Sequence, residues 1–253
     1  MNNDEFYVGY APKPPEHLRR TIVKIVIALN AIAVVLAVLL VLGQQHFAAS
    51  AFEFQQFREF EGVLLEHPYP SLLVRRPGMA EGTLPFSRYL LVASGKHAAS
   101  SVVSGLDGRK VRIRGSLIYR EGNTMIELAS GAAPVAEEAD SNRAATASDL
   151  GQVTLSGEIV DSKCYLGVMN PGSGKVHRDC AVRCISGGIP PAFSVKDAEG
   201  RPKILLLAGV DGRQLNREVL DFVAEPITIR GRLTRSGETY ILWTEPSSFV
   251  RRH

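Results

Sequence analysis

Two stretches of this chain repeat one pattern, and that repetition limits the fold more than any other feature. Val111–Leu128 reads VRIRGSLIYREGNTMIEL and Ile227–Trp243 reads ITIRGRLTRSGETYILW. In each, an alternating run ends on Ile-Arg-Gly, a further strand segment follows, and a Gly-containing turn leads into a last strand. Alternation at period two places every second side chain on the same face, so both stretches belong in sheets. The likeness extends backward. REFEGVLLEHPYPSLLV (Arg58–Val74) matches VTLSGEIVDSKCYLGVM (Val153–Met169), each a strand with a glycine inside it, and YLLVASG (Tyr89–Gly95) corresponds to ILLLAGVDG (Ile204–Gly212). Each unit therefore runs strand, long excursion, strand, loop or short helix, hairpin. Five short strands in roughly 90 residues, with glycine at the bends, predict a small, strongly curved OB-like β-barrel.

Ahead of the first unit, Ile25–Leu42 reads IVIALNAIAVVLAVLLVL, with Asn30 its only polar side chain. At helical rise this covers roughly 27 Å, the hydrocarbon thickness of a bilayer. A soluble core helix would carry a polar stripe, and this one has none. The segment is expected to span a membrane. A cleaved signal peptide competes, since Ala48–Ala51 (AASA) offers small residues to a peptidase. Signal cores run about 7–15 residues, so the greater length favours an uncleaved anchor. Lys13, Arg19, Arg20 and Lys24 precede the helix and no base follows it closely. That asymmetry predicts a cytoplasmic N-terminus, a single pass through the inner membrane, and the bulk of the chain in the periplasm. Tyr7–Pro15 (YVGYAPKPP) is too proline-rich for a helix and offers two tyrosines to the interface or a partner.

The fold class is thus mainly β: an N-terminal transmembrane helix, then two small OB-like units related by internal duplication. The expected divisions are a cytoplasmic tail over 1–20, the membrane helix over 21–43, a first domain over 52–130, a linker over 131–151 and a second domain over 152–250. The linker (GAAPVAEEADSNRAATASDLG) lacks any apolar stripe. Short helices are expected at Leu215–Phe222 and around Cys180–Ile185. Composition excludes other classes. With 45% hydrophobic and 22% charged residues, the chain is neither disordered throughout nor polytopic. A net charge of +3 gives no strong field for a polyanion, so nucleic acid is not an expected partner. There is no Gly-x-Ser-x-Gly, no catalytic carboxylate pair and no nucleotide fingerprint.

The chemistry gathers in the excursion of the second unit, DSKCYLGVMNPGSGKVHRDCAVRCISGGIPP (Asp161–Pro191), which holds all three cysteines. His177, Cys180 and Cys184 follow one another at offsets of three and four, which a helix turns to one face. Cys164 closes the set from the preceding strand. Cys164, His177, Cys180 and Cys184 are the candidate metal ligands, with zinc or copper as the ion. A disulfide is a second reading: Cys164 joined to Cys180 or Cys184 would staple the excursion and leave one thiol free; buried inert thiols are a third. A Cys180–Cys184 bridge fits poorly on a helix. Asp161 reads first as a turn-forming residue and secondly as a hydrogen-bond partner of His177. His67 and His97 lack soft neighbours in sequence and read as surface or capping residues.

The pattern G-E-I-V-D-S-K-C…H-R-D-C-A-V-R-C-I-S-G-G, Gly157–Gly188, resembles a small exported bacterial domain of unknown function. The resemblance spans about 153–245 and implies a compact β-barrel, and it implies no activity. Two functions follow from the residues. One is a membrane-anchored periplasmic accessory protein that binds a metal through Cys and His and serves a membrane or redox complex. The other is a structural, partner-binding subunit of a membrane complex with a disulfide-stapled loop. A thiol–disulfide enzyme is disfavoured, because CxxC is absent.

Overall fold

The computed structural model describes residues 15–43, 50–76, 86–131, 134–139 and 147–252. The tyrosines of Tyr7–Pro15, and Ala48 and Ala49 of the candidate cleavage segment, lie outside that range. The N-terminal unit is a single helix, α1 (Glu16–Gly43), whose 28 residues bury no side chain. By length and hydropathy it suffices to cross a membrane. The rest of the chain, from Phe47, forms one compact unit.

That unit contains two barrels built on one plan. The first uses β1 (Ser50–Phe52), β2 (Arg58–Leu65), β3 (Ser71–Arg75), β4 (Phe86–Val92), a one-turn helix α2 (Ser100–Val103), β5 (Arg109–Arg120), β6 (Asn123–Leu128) and β7 (Val135–Ala139). The second uses β8 (Ser148–Asp161), α3 (Arg178–Ser186), β9 (Pro191–Lys196), β10 (Pro202–Gly209), β11 (Ile227–Ser236), β12 (Thr239–Thr244) and β13 (Val250–Arg251). In the first barrel β2 pairs with β3, β3 with β4, β4 in parallel with β6, and β6 with β5, which returns to β2. In the second, β8, β9, β10, β12 and β11 close in the same order, again with one parallel pair, β10–β12. This is the OB-like arrangement expected from the repeat.

The repeated Ile-Arg-Gly has a physical cause. Gly115 pairs with Leu128 and Gly231 with Thr244 at equivalent places in the two barrels. A Cβ at Gly115 would stand 2.5 Å from the Glu127 carbonyl, and one at Gly231 2.4 Å from that of Trp243. Only glycine lets the strands approach so closely where the barrel closes.

Two local expectations change. The segment read as a linker contains β7, which pairs antiparallel with β5, and β8 begins at Ser148. Backbone pairing to β5 orders Val135–Ala139 without an apolar stripe of its own. The helix expected over Leu215–Phe222 reduces to a single tight turn at Leu220–Phe222.

Each barrel has its own interior. Leu64, Leu72, Leu91, Val111, Ile113 and Ile126 fill the first, while Ile159, Phe193, Leu205, Leu207, Ile229 and Leu242 fill the second. A third cluster belongs to both. Tyr69, Leu90, Val92, Ile118 and Met125 of the first barrel pack against Val160, Leu166, Ile189, Ile204, Leu206 and Ile241 of the second. Strand β10 therefore sends Leu205 and Leu207 into its own barrel and Ile204 and Leu206 toward the other. Such a strand has no polar face, because both faces are buried. At about 1.5–3 kcal/mol per fully buried aliphatic side chain, the shared cluster is a major part of what holds the unit together.

Polar contacts fix how the barrels meet. The fully buried Tyr69 hydroxyl donates to the Leu207 carbonyl (2.8 Å) and accepts from the Leu215 N–H (3.2 Å). Burial pushes its ionisation well above the usual phenol range. The buried ammonium of Lys163, in the second barrel, donates to the carbonyls of Ala93 (3.1 Å) and Gly95 (2.5 Å) and pairs with the Glu127 carboxylate in the first.

Candidate metal centre

Strand β8 delivers Asp161 to a buried end of the second barrel, and there the chain turns sharply into a wide helical turn, Cys164–Val168. Asp161 starts that turn: its Oδ1 accepts the Cys164 N–H at 2.7 Å. The turn points Cys164 inward, where it is buried. The chain then loops back through a short turn, Lys175–His177, into α3.

Helix α3 is amphipathic in a useful way. Ala181 and Ile185 face the interior of the second barrel. Cys184 faces the shared cluster between the barrels, and Cys180 sits one turn earlier, half-buried. The C-terminus is firmly closed. Gly188 adopts φ +93°, the left-handed conformation that favours glycine at a helix end. The Asn216 side chain donates to the carbonyls of Ile185 (2.8 Å) and Ile189 (2.9 Å). The two helical cysteines thus stand on a fixed support opposite Cys164.

The three sulfurs converge. Cys164 Sγ lies 4.0 Å from Cys180 Sγ and 3.9 Å from Cys184 Sγ. All three ligand atoms fall within 4.8 Å of one another, and all three cysteines are free thiols. A disulfide would need about 2.05 Å. Sulfurs bound to one ion through bonds of about 2.3 Å stand about 3.8–4.0 Å apart, and the observed spacing matches that.

His177 falls in a second triad, with Asp161 and Cys164. Its Nε2 lies 3.0 Å from Asp161 Oδ2, and both side chains are buried. Asp161 therefore has both roles foreseen for it, with one oxygen on the turn and the other on the histidine. Cys164 is the residue where the two triads meet. His67 and His97 belong to neither.

The first barrel adds a residue that the sequence did not point to. Lys96, in the loop after β4, donates from its ammonium to Cys180 Sγ at 3.0 Å. The loop is placed by contacts across the interface. Lys163, the neighbour of Cys164, holds the Ala93 and Gly95 carbonyls, and the Gly187 carbonyl accepts the Ala98 N–H at 2.9 Å. The fit at Gly187 is close, since a Cβ there would stand 1.8 Å from the Lys96 carbonyl. No local sequence signal pointed to Lys96, because the contact joins segments 84 positions apart.

The electrostatics follow from these contacts. The hydrogen bond to Cys180 raises the Lys96 ammonium above its ordinary range. Cys164 and Cys184 share a proton. The hydrogen bond between them, burial and the nearby Asp161 push the Cys164 thiol up. The same hydrogen bond, assisted by Lys96, brings Cys184 down to about 7. The pair gives up one proton readily and holds the second. Partly ionised, clustered sulfurs beside a cation suit a soft metal ion.

Comparison of the chain with protein-family models, curated proteins and solved structures finds no match, so the resemblance of Gly157–Gly188 to an exported domain assigns no family.

Proposed function

We propose that this chain is a membrane-anchored accessory protein that holds a soft metal ion, copper or zinc, on Cys164, Cys180 and Cys184. The observation that carries this reading is the convergence of three free thiols where the two barrels meet, with Cys180 and Cys184 at 4.0 and 3.9 Å from Cys164, and with Cys164 and Cys184 buried. Thiolates spaced for one ion and shielded from solvent are the donor set that soft metals take. The apolar helix α1 supports the anchor, and the bases ahead of it support a cytoplasmic N-terminus with the barrels on the periplasmic side of the inner membrane. On this reading the protein serves a membrane redox complex. His177 stands beside the sulfurs through Asp161 and Cys164.

The test is elemental analysis of the full chain, solubilised in detergent and purified without chelator. One equivalent of metal per chain, lost in Cys164→Ser, supports the reading. A metal-free chain that also takes up neither zinc nor Cu(I) in titration overturns it, and leaves a structural subunit with a stapled loop.

A further inference from the structure

Building on the metal-holding reading, we infer that the site takes a monovalent soft cation, Cu(I), in a three-sulfur set, with His177 outside the ligands. The placement of His177 carries this. In a tetrahedral set with three sulfurs, the nitrogen ligand stands about 3.6 Å from every sulfur. His177 instead groups with Asp161 and Cys164, while Cys164, Cys180 and Cys184 form a group of their own. Its Nε2 is engaged with Asp161 Oδ2 at 3.0 Å, and Asp161 Oδ1 accepts the Cys164 N–H at 2.7 Å. The pair acts on the turn that presents Cys164. His177 is a positioning residue.

The side of the cluster at Cys180 is bounded by a group that cannot ligate. The Lys96 ammonium, 3.0 Å from Cys180 Sγ, has donors and no acceptor. The site thus offers three sulfurs and a cation. Structural zinc almost always takes four ligands. Soft Cu(I) is satisfied by thiolates alone and accepts three. Charge agrees: three thiolates around a monovalent ion leave two negative charges, and Lys96 offsets one of them. Burial adds a route. Cys164 and Cys184 are buried while Cys180 is half-exposed, so an ion enters and leaves by exchange at Cys180, under the lysine.

The experiment uses the full chain in detergent, reduced and without oxygen, loaded with one equivalent of Cu(I) or of Zn(II). X-ray absorption at the copper edge is expected to show three sulfur neighbours and no imidazole scattering. Cu(I) is expected to stay bound against about a ten-fold excess of Zn(II), and to displace zinc already loaded. An imidazole nitrogen in the coordination shell, or zinc that resists Cu(I), overturns this inference and leaves the metal-holding reading intact. Failure to bind either ion overturns both.

Discussion

Lys96 and Cys180 are 84 positions apart in the chain, and in the fold the ammonium of one donates to the sulfur of the other at 3.0 Å. The contact crosses from one barrel to the other, so the candidate centre is a property of the pair of barrels. It also leads to a first prediction. Lys96→Met removes the cation facing the sulfurs. The Cys184 thiol of the metal-free protein, lowered to about 7 by the Cys164 hydrogen bond with help from Lys96, should then ionise at higher pH. Ultraviolet absorbance of the thiolate against pH reads this directly, whatever the access to the buried sulfur: the midpoint should move upward in the variant. An unmoved midpoint would mean that Lys96 does not act on the cluster.

The shared proton of Cys164 and Cys184 makes the metal-free fold pH-sensitive. Cys184 is lowered to about 7 from an ordinary 9.0, so between those values the folded chain binds fewer protons than the unfolded one. Stability therefore rises from about pH 7 to 9. Above that range Cys164, which is raised, keeps a proton that the unfolded chain loses, and the gain reverses. Urea midpoints measured with chelator present should rise and then fall across this range, and Cys184→Ser should flatten the rise. A wild-type midpoint that falls between pH 7 and 9 would contradict the assignment.

Tyr69→Phe tests the joint between the barrels. The substitution keeps the ring and leaves the Leu207 carbonyl and the Leu215 N–H buried without their partner. A cost of about 1–3 kcal/mol in unfolding free energy is expected. A change under about 0.5 kcal/mol would show that the hydroxyl is not shielded as described.

Lys163→Met should cost more, about 3–5 kcal/mol, because it strands the Glu127 carboxylate and two carbonyls that the ammonium now satisfies. The same change frees the loop carrying Lys96. Metal affinity should fall along with stability, although Lys163 touches no sulfur. Destabilisation with unchanged affinity would separate the loop from the site.

The parts that were legible in the sequence are those whose signals are local. Alternation and the repeated Ile-Arg-Gly specify a hairpin within twenty residues, and both barrels follow. The unbroken apolar run of α1 needs no partner to be read. Cys180 and Cys184 are one helical turn apart, so their common face follows from spacing, and the structure sets Cys164 opposite them. What stayed hidden depends on contacts between distant segments. Tyr69 meets Leu207 across 138 positions, and nothing in EHPYP distinguishes a bolt from a loop residue. One clue to the shared core lay in plain view. YLLV and ILLLA lack the polar alternation of a strand with one wet face, which is how a strand buried on both sides is written. The linker composition pointed the other way, toward separable halves, because β7 is held by backbone pairing and leaves little trace in side-chain pattern.

The proposed function requires that Cys164, Cys180 and Cys184 hold an ion together as thiolates. One sample decides it most directly: the detergent-solubilised full chain, purified without chelator or reductant, divided for elemental analysis and for thiol counting after chelation and denaturation. One copper or zinc per chain and three reactive thiols are expected. One reactive thiol with no metal would show a disulfide in place of the ion, and would overturn the metal-holding function.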